Sequence, residues 1–295
     1  MCQRKTGQEE KPFLLFLSFQ AGKIVYNDSG RFFMKKRNAA VIRLVVPLAY
    51  LSMIIVNYLA NALPLGGLST GEVSDLYPNL FVPSGFTFSI WGIIYLLLGT
   101  SVVFFITRIG SHDAGLYRKL AVFFVITCVF NMAWIFSWQY RLPGLSFAVM
   151  ILLFFTLNAI KIILWDQDKM LNQQERIFLN LPFSFYFAWI NIALLANLTA
   201  LKIHLGWSWG VSDMFWAMMM IFIAVILTIY RVVRRHDIVF PIVTVWALTG
   251  IIHKRMAFQE AREVALAAVT GLLAVAVALI VTGIDLHWKR KKSVN

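Results

Sequence analysis

A chain of 295 residues that is 60% hydrophobic, with a mean hydropathy of +0.73, lies far outside the range of soluble globular domains. Its formal charge of +13 invites nucleic acid as a partner. The distribution of that charge argues against it, because the basic residues cluster between long apolar runs, where a membrane protein sets its topology.

A hydrocarbon core about 30 Å thick is crossed by roughly 20 apolar helical residues. Runs of that kind lie at about 40–62, 84–107, 117–139, 143–164, 177–200, 213–231, 238–252 and 260–284. They predict an all-α polytopic membrane protein of about eight spans, the seventh short and opening at Pro241. With the N-terminus inside, Lys35, Lys36, Arg37, Arg43, Arg108, Arg118, Lys119, Lys161, Lys169, Arg176, Arg231, Arg234, Arg235 and the Lys289–Lys292 run fall on the cytoplasmic side. Only Arg141, Lys202, Lys254, Arg255 and Arg262 fall outside. That asymmetry predicts a multi-pass protein of the inner membrane with both termini cytoplasmic. Anionic lipid headgroups would then neighbour the basic clusters.

Taken in chain order, residues 1–33 read as foreign to the rest. PFLLFLSF (12–19) is too short to span and lacks a secretory cleavage site, whereas MKKRNAAVIRLVV from Met34 reads as an ordinary inner-membrane start. Gly30-Arg31 can also be encoded by a ribosome-binding sequence, so the expectation is a translated leader over 1–33, with a disordered basic tail as the alternative. Cys2 and Cys128 have neither disulfide nor metal spacing. The first long connection, LPLGGLSTGEVSDLYPNLFVP (63–83), is rich in turn residues and reads as a lid or a solvated connector. Ser84 is the expected N-cap of the second long helix.

That helix opens with four aromatics in PSGFTFSIWGIIY (83–95). Positions i, i+3 and i+7 share a helix face, and Phe88, Trp91 and Tyr95 have that spacing. Asn131, Trp134 and Trp138 repeat it in FNMAWIFSW, as do Tyr186, Trp189, Ala193 and Asn197 in YFAWINIALLAN. At about 1.5 Å per residue, Trp91, Asn131, Trp134 and Trp189 lie roughly 8–16 Å below the outer ends of their spans. Each stripe alone reads as helix packing. Three at similar depth suggest a cavity for a planar hydrophobic molecule, since a buried indole N–H in lipid needs a partner. None of the 14 acidic residues or five histidines lies near the centre of a span, which argues against ion coupling or an intramembrane haem ligand. No nucleotide, zinc or serine-hydrolase motif is present.

On these three segments the chain resembles the TspO/MBR family, the tryptophan-rich sensory or translocator proteins. PSGFTFSIWGIIY is similar to the family's Pro-rich lead into a Trp-x-x-x-Tyr helix, Asn131 and Trp134 to its Asn-x-x-Trp, and Tyr186, Ala188, Trp189, Ala193 and Asn197 to its fifth-helix motif. Phe86 stands where the family has its first Trp, Phe185 stands where it has a Pro, and Pro182 is displaced upstream. The resemblance implies a five-helix bundle over 34–202, commonly dimeric, with residues 203–295 as three added helices and a basic tail. It implies a porphyrin-type ligand, protoporphyrin IX or haem, and in some members sterols or synthetic aromatic drugs; the residues expected to hold it here are Phe88, Trp91, Tyr95, Asn131, Trp134, Tyr186, Trp189 and Asn197. The aromatics would stack on it, and the two asparagines and Tyr186 would hydrogen-bond it. A sensor, carrier or scavenger is the leading expectation; a permease or export subunit and a light-dependent porphyrin-degrading enzyme are the alternatives. In the last span Ala267, Gly271, Ala274 and Ala278 form a small-residue stripe for close helix approach, against the core or as a homodimer seam. Trp207 and Trp209 read as interfacial anchors.

Overall fold

The computed structural model describes residues 28–63, 65–109, 114–168, 170–208, 210–258 and 261–292. The expected leader lies outside the described residues as far as position 27, as do Cys2 and Trp209. The chain divides into a short unit, 1–38, and a compact unit, 39–295. Among the described residues all regular structure is helical.

The long helices are α1 (Asp28–Ala62), α3 (Ile90–Arg108), α4 (Ala114–Gln139), α5 (Pro143–Asp166), α7 (Leu181–His204), α8 (Asp213–Arg235), α9 (Phe240–Phe258) and α10 (Arg262–Lys292). Two short helices, α2 (Thr70–Asp75) and α6 (Gln173–Glu175), lie in connections. Seven of these stretches are long and apolar enough to cross a membrane. The eighth, α9, runs for 19 residues but carries His253, Lys254 and Arg255 in its last turns, which lower its mean hydropathy.

Sequence chemistry accounts for the helix ends. Pro143 starts α5 at the first turn, where its missing N–H is no loss. Pro182 cannot donate to the carbonyl one turn back, at Phe178. A π turn over Arg176–Asn180 precedes it, and Ser101 on α3 donates its hydroxyl to Phe178 O at 2.6 Å. The freed carbonyl therefore becomes an interhelical bond. In α2, Ser69 and Glu72 form a reciprocal capping box.

Helix α7 is the axis of the compact unit. Phe183, Tyr186, Ala188 and Ile190 are fully buried, and α7 packs on α3, α5 and α9. Helix α10 packs on α8 and α9. The small-residue stripe is part of that seam: a Cβ on Gly271 would lie 2.7 Å from Val225 Cγ2 on α8. The α8–α9 turn is tied back by Asp237, whose Oδ2 lies 3.2 Å from Lys161 Nζ on α5 and 3.1 Å from an Arg231 nitrogen and accepts from Ser184 on α7. Helix α1 is different. Leu44, Leu48, Leu51, Ile55 and Tyr58 are exposed along it, while Val46, Met53 and Ala60 are buried against the bundle and polar bonds add to that contact.

Candidate functional site

The three stripes converge. Trp91 stacks on Tyr95 one turn on, with centroids 5.4 Å apart, and on Trp134 of α4 at 5.9 Å. It meets Tyr186 and Trp189 of α7 edge-on at 6.0 and 6.2 Å. Phe88 meets Trp189 edge-on at 6.0 Å, and Trp134 stacks on Trp138 at 6.2 Å. Such offset and edge-on arrangements are those the ring quadrupoles favour. All eight sequence-predicted residues thus belong to one contiguous cluster drawn from the turn before α3 and from α3, α4 and α7.

The amides are committed within the protein. Asn131 accepts at Oδ1 from Asn57 Nδ2 (2.6 Å) and donates from Nδ2 to the Tyr186 hydroxyl (3.0 Å). Asn57 Oδ1 accepts from the Tyr95 hydroxyl (2.7 Å). Asn197 Oδ1 accepts from Trp134 Nε1 (3.1 Å) and the Ser146 hydroxyl (2.6 Å), while its Nδ2 donates to Ala193 O (2.9 Å). The expectation that both asparagines turn toward a ligand therefore differs from the geometry, in which they join helices. The polar groups left over are the Trp189 indole N–H and the Thr70 hydroxyl, both buried and without partners.

Two cavities flank the cluster. An interior one, between the α2 connection and α7, measures about 30 Å³ and is bounded by Thr70, Phe88, Trp91, Trp134, Trp189 and Asn197. That is room for about one water molecule. Outside it, a groove of about 650 Å³ runs between α1 and the α3–α4 face, lined by Asn57, Tyr58, Asn61, Phe88, Trp91 and Trp134, among others. Its size is within the range of small-molecule sites, about 300–1,000 Å³. Phe88 and the stacked Trp91–Trp134 pair are the wall between the two. No Asp or Glu lines either space.

The first connection closes the top of the interior cavity. Trp138 Nε1 donates to Thr70 O at 3.1 Å, and Gln139 Nε2 to Ala60 O at 2.6 Å. Gly66 approaches so closely that a Cβ there would lie 2.6 Å from Gln139 O. The Glu72 carboxyl is held below its ordinary value by hydrogen bonds from the Ser69 backbone and hydroxyl.

Asn57 is the residue that pattern reading missed. The signal was present, since an asparagine inside the last turns of an apolar span such as α1 must find a partner. Asn61, one turn later, shares its face.

A multi-helix membrane protein with an aromatic-walled cavity and a lateral groove is the class that this architecture defines. Comparison with known families narrows it. The sequence profile of the family described as TSPO-like protein matches residues 43–282, and the chain belongs to that family. The match runs from α1 into α10, so α8 and α9 lie wholly within it. No curated protein and no solved structure compared with the chain matches it.

Proposed function

We propose that this membrane protein binds a flat hydrophobic ligand of the porphyrin type in the groove between α1 and the Trp91–Trp134 wall, as a sensor, carrier or scavenger. The observation that carries the reading is the contrast between the two spaces. The interior cavity admits about one water, whereas the groove offers about 650 Å³ beside aromatic rings and amides. A planar apolar molecule gains there from ring contact without unfolding the cluster. The charge asymmetry supports an inner-membrane orientation with both termini cytoplasmic, in which the groove opens to the outer half of the bilayer.

The test is a titration of the purified protein with protoporphyrin IX in the dark, followed by tryptophan fluorescence. Saturable quenching at low micromolar ligand is expected, weakened in Trp91→Phe and Trp134→Phe and unchanged in Trp207→Phe, which lies outside both spaces. Weakening in Trp189→Phe as well would move the ligand inward. Equal quenching in every variant, or none that saturates, would overturn the proposal. Light- and oxygen-dependent loss of the Soret band after binding would make the protein an enzyme rather than a binder.

A further inference from the structure

The turn that leads into α3 does not cap itself. Ser84 precedes a 3₁₀ turn, Gly85–Ser89, yet its side chain makes no capping bond. Its hydroxyl and its backbone N–H both donate to Gly250 O of α9, at 3.2 and 3.1 Å. Thr87 O, in the same turn, accepts from Trp246 Nε1 of α9 at 2.9 Å. Phe86 lies edge-on to Trp246 at 5.4 Å and to His253 at 5.3 Å. Residues 84, 86 and 87 are thus each gripped by α9, and the next residues with rings in the site are Phe88 and Trp91.

The fit at Gly250 is close. A Cβ there would lie 2.0 Å from Thr87 Oγ1, 2.9 Å from Pro83 Cβ and 3.1 Å from Thr87 Cβ. Thr87 is fully buried and Pro83 Cβ is also within 3 Å of the added atom, so a larger residue must displace the Thr87 side chain or the turn that carries it. Neither Gly250 nor Trp246 lines the groove or the interior cavity.

We infer that α9 is a positioning element of the ligand site, with Gly250 and Trp246 setting the Pro83–Ser89 turn and through it the rings of Phe88 and Trp91. The inference rests on the proposed site for its ligand readout, and on the ligand-free protein for a second, independent one. It gives a role to a helix that lies outside the five expected to form the bundle.

The experiment compares wild type, Gly250→Ala, Thr87→Ala, the Gly250→Ala/Thr87→Ala double variant and Gly271→Ala. The last is a control for overpacking elsewhere, since its Cβ would press on Val225 of α8. Two quantities are read: the near-UV circular dichroism of the ligand-free protein, which reports the stacked tryptophans, and the Kd for protoporphyrin IX. Gly250→Ala is expected to change the near-UV spectrum and weaken binding about tenfold, equivalent to about 1.4 kcal/mol. Removing Thr87 Oγ1 in the double variant should restore most of both, and Gly271→Ala should lower the unfolding midpoint while leaving both unchanged. Trp246→Phe, which keeps a ring but removes the donor, is the variant to use should Gly250→Ala not fold, and it should shift both readouts in the same direction. Unchanged spectrum and Kd in Gly250→Ala, or equal changes in Gly271→Ala, would overturn the inference while leaving the site reading intact. Absence of binding in wild type would defeat the site reading alone, because the near-UV comparison would still decide the role of α9.

Discussion

Replacing Asn57 by Ala tests what holds α1 in place. The change removes the bond donated by Asn57 Nδ2 to Asn131 Oδ1 and the one that Asn57 Oδ1 accepts from the Tyr95 hydroxyl. Both cross between helices, and Asn131 is completely buried. Interhelical hydrogen bonds in membrane proteins average about 0.6 kcal/mol and reach about 1.7 kcal/mol. Two of them give about 1–3 kcal/mol, and about 2 kcal/mol is the expected loss. Asn61→Ala is the internal control. Its Nδ2 bonds within its own helix to Asn57 O, and its Oδ1 receives only a long 3.4 Å bond from Thr70 N, so its loss should stay below about 0.5 kcal/mol.

The assay is equilibrium unfolding in mixed detergent. It is paired with a distance measurement between spin labels at Tyr58 on α1 and Phe136 on α4, both exposed positions. Asn57→Ala should lower stability and broaden the distance distribution, and Asn61→Ala should do neither. In a double-mutant cycle, Asn57→Ala with Asn131→Ala should show coupling of about 1 kcal/mol. A loss below about 0.5 kcal/mol with an unchanged distance would refute the reasoning, since α1 would then be held by its apolar contacts.

Other perturbations separate groups that look alike. Trp134→Phe removes a donor to Asn197, whereas Trp189→Phe removes an N–H that has no partner; the first should cost about 1 kcal/mol more in unfolding free energy. Asp237→Asn leaves Lys161 and Arg231 without their shared anion, and about 3 kcal/mol should be lost. Burial raises the Asp237 carboxyl pKa, but Lys161 and Arg231 outweigh it and hold the group below its ordinary range. Its stabilisation is therefore complete above the unfolded value of about 3.9 and is lost only as pH falls through the lower folded value. Unfolding curves between pH 5 and pH 8 should consequently show no loss traceable to this group. Ser69→Ala opens the α2 capping box and should cost about 1 kcal/mol of local stability, visible as faster amide exchange over residues 70–75.

Periodicity made the long helices and the three stripes legible, because an apolar run and an i, i+3, i+7 spacing are local properties of sequence. Phe88, Trp91, Tyr95, Asn131, Trp134, Tyr186, Trp189 and Asn197 do meet. What each side chain does within the meeting was not legible. Asn131 and Asn197 look like ligand donors in sequence and are interhelical ties in the structure, because the identity of a partner depends on a second helix distant along the chain. The same limit hid Asn57, which matters only through Asn131 and Tyr95. Ser84 shows the reverse error: its position reads as a helix cap, but Gly250, 166 residues away, offers its hydroxyl an acceptor that the local turn does not.

Polar attachment of α1 also bears on how the groove would work. Arg43 Nε donates to Ile106 O at 3.2 Å, the Tyr50 hydroxyl to Tyr95 O at 2.8 Å, and Asn57 ties to Asn131. These three positions recur every seven residues, so they share one helix face. Gly99 makes the middle tie feasible, since a Cβ there would lie 2.9 Å from the Tyr50 hydroxyl. Lipid tails are as apolar as leucine, so apolar contact alone gives α1 little reason to prefer the bundle over the bilayer. Directional bonds can hold the helix at a distance from α3 and α4 and leave the space between as a groove. On the proposed reading, a flat ligand in that space touches α1 on one side and the Trp91–Trp134 wall on the other. Bound there, it would favour the attached position of α1, and by linkage whatever loosens α1 would weaken the ligand by the same free energy. The Asn57 tie would then govern affinity as well as stability.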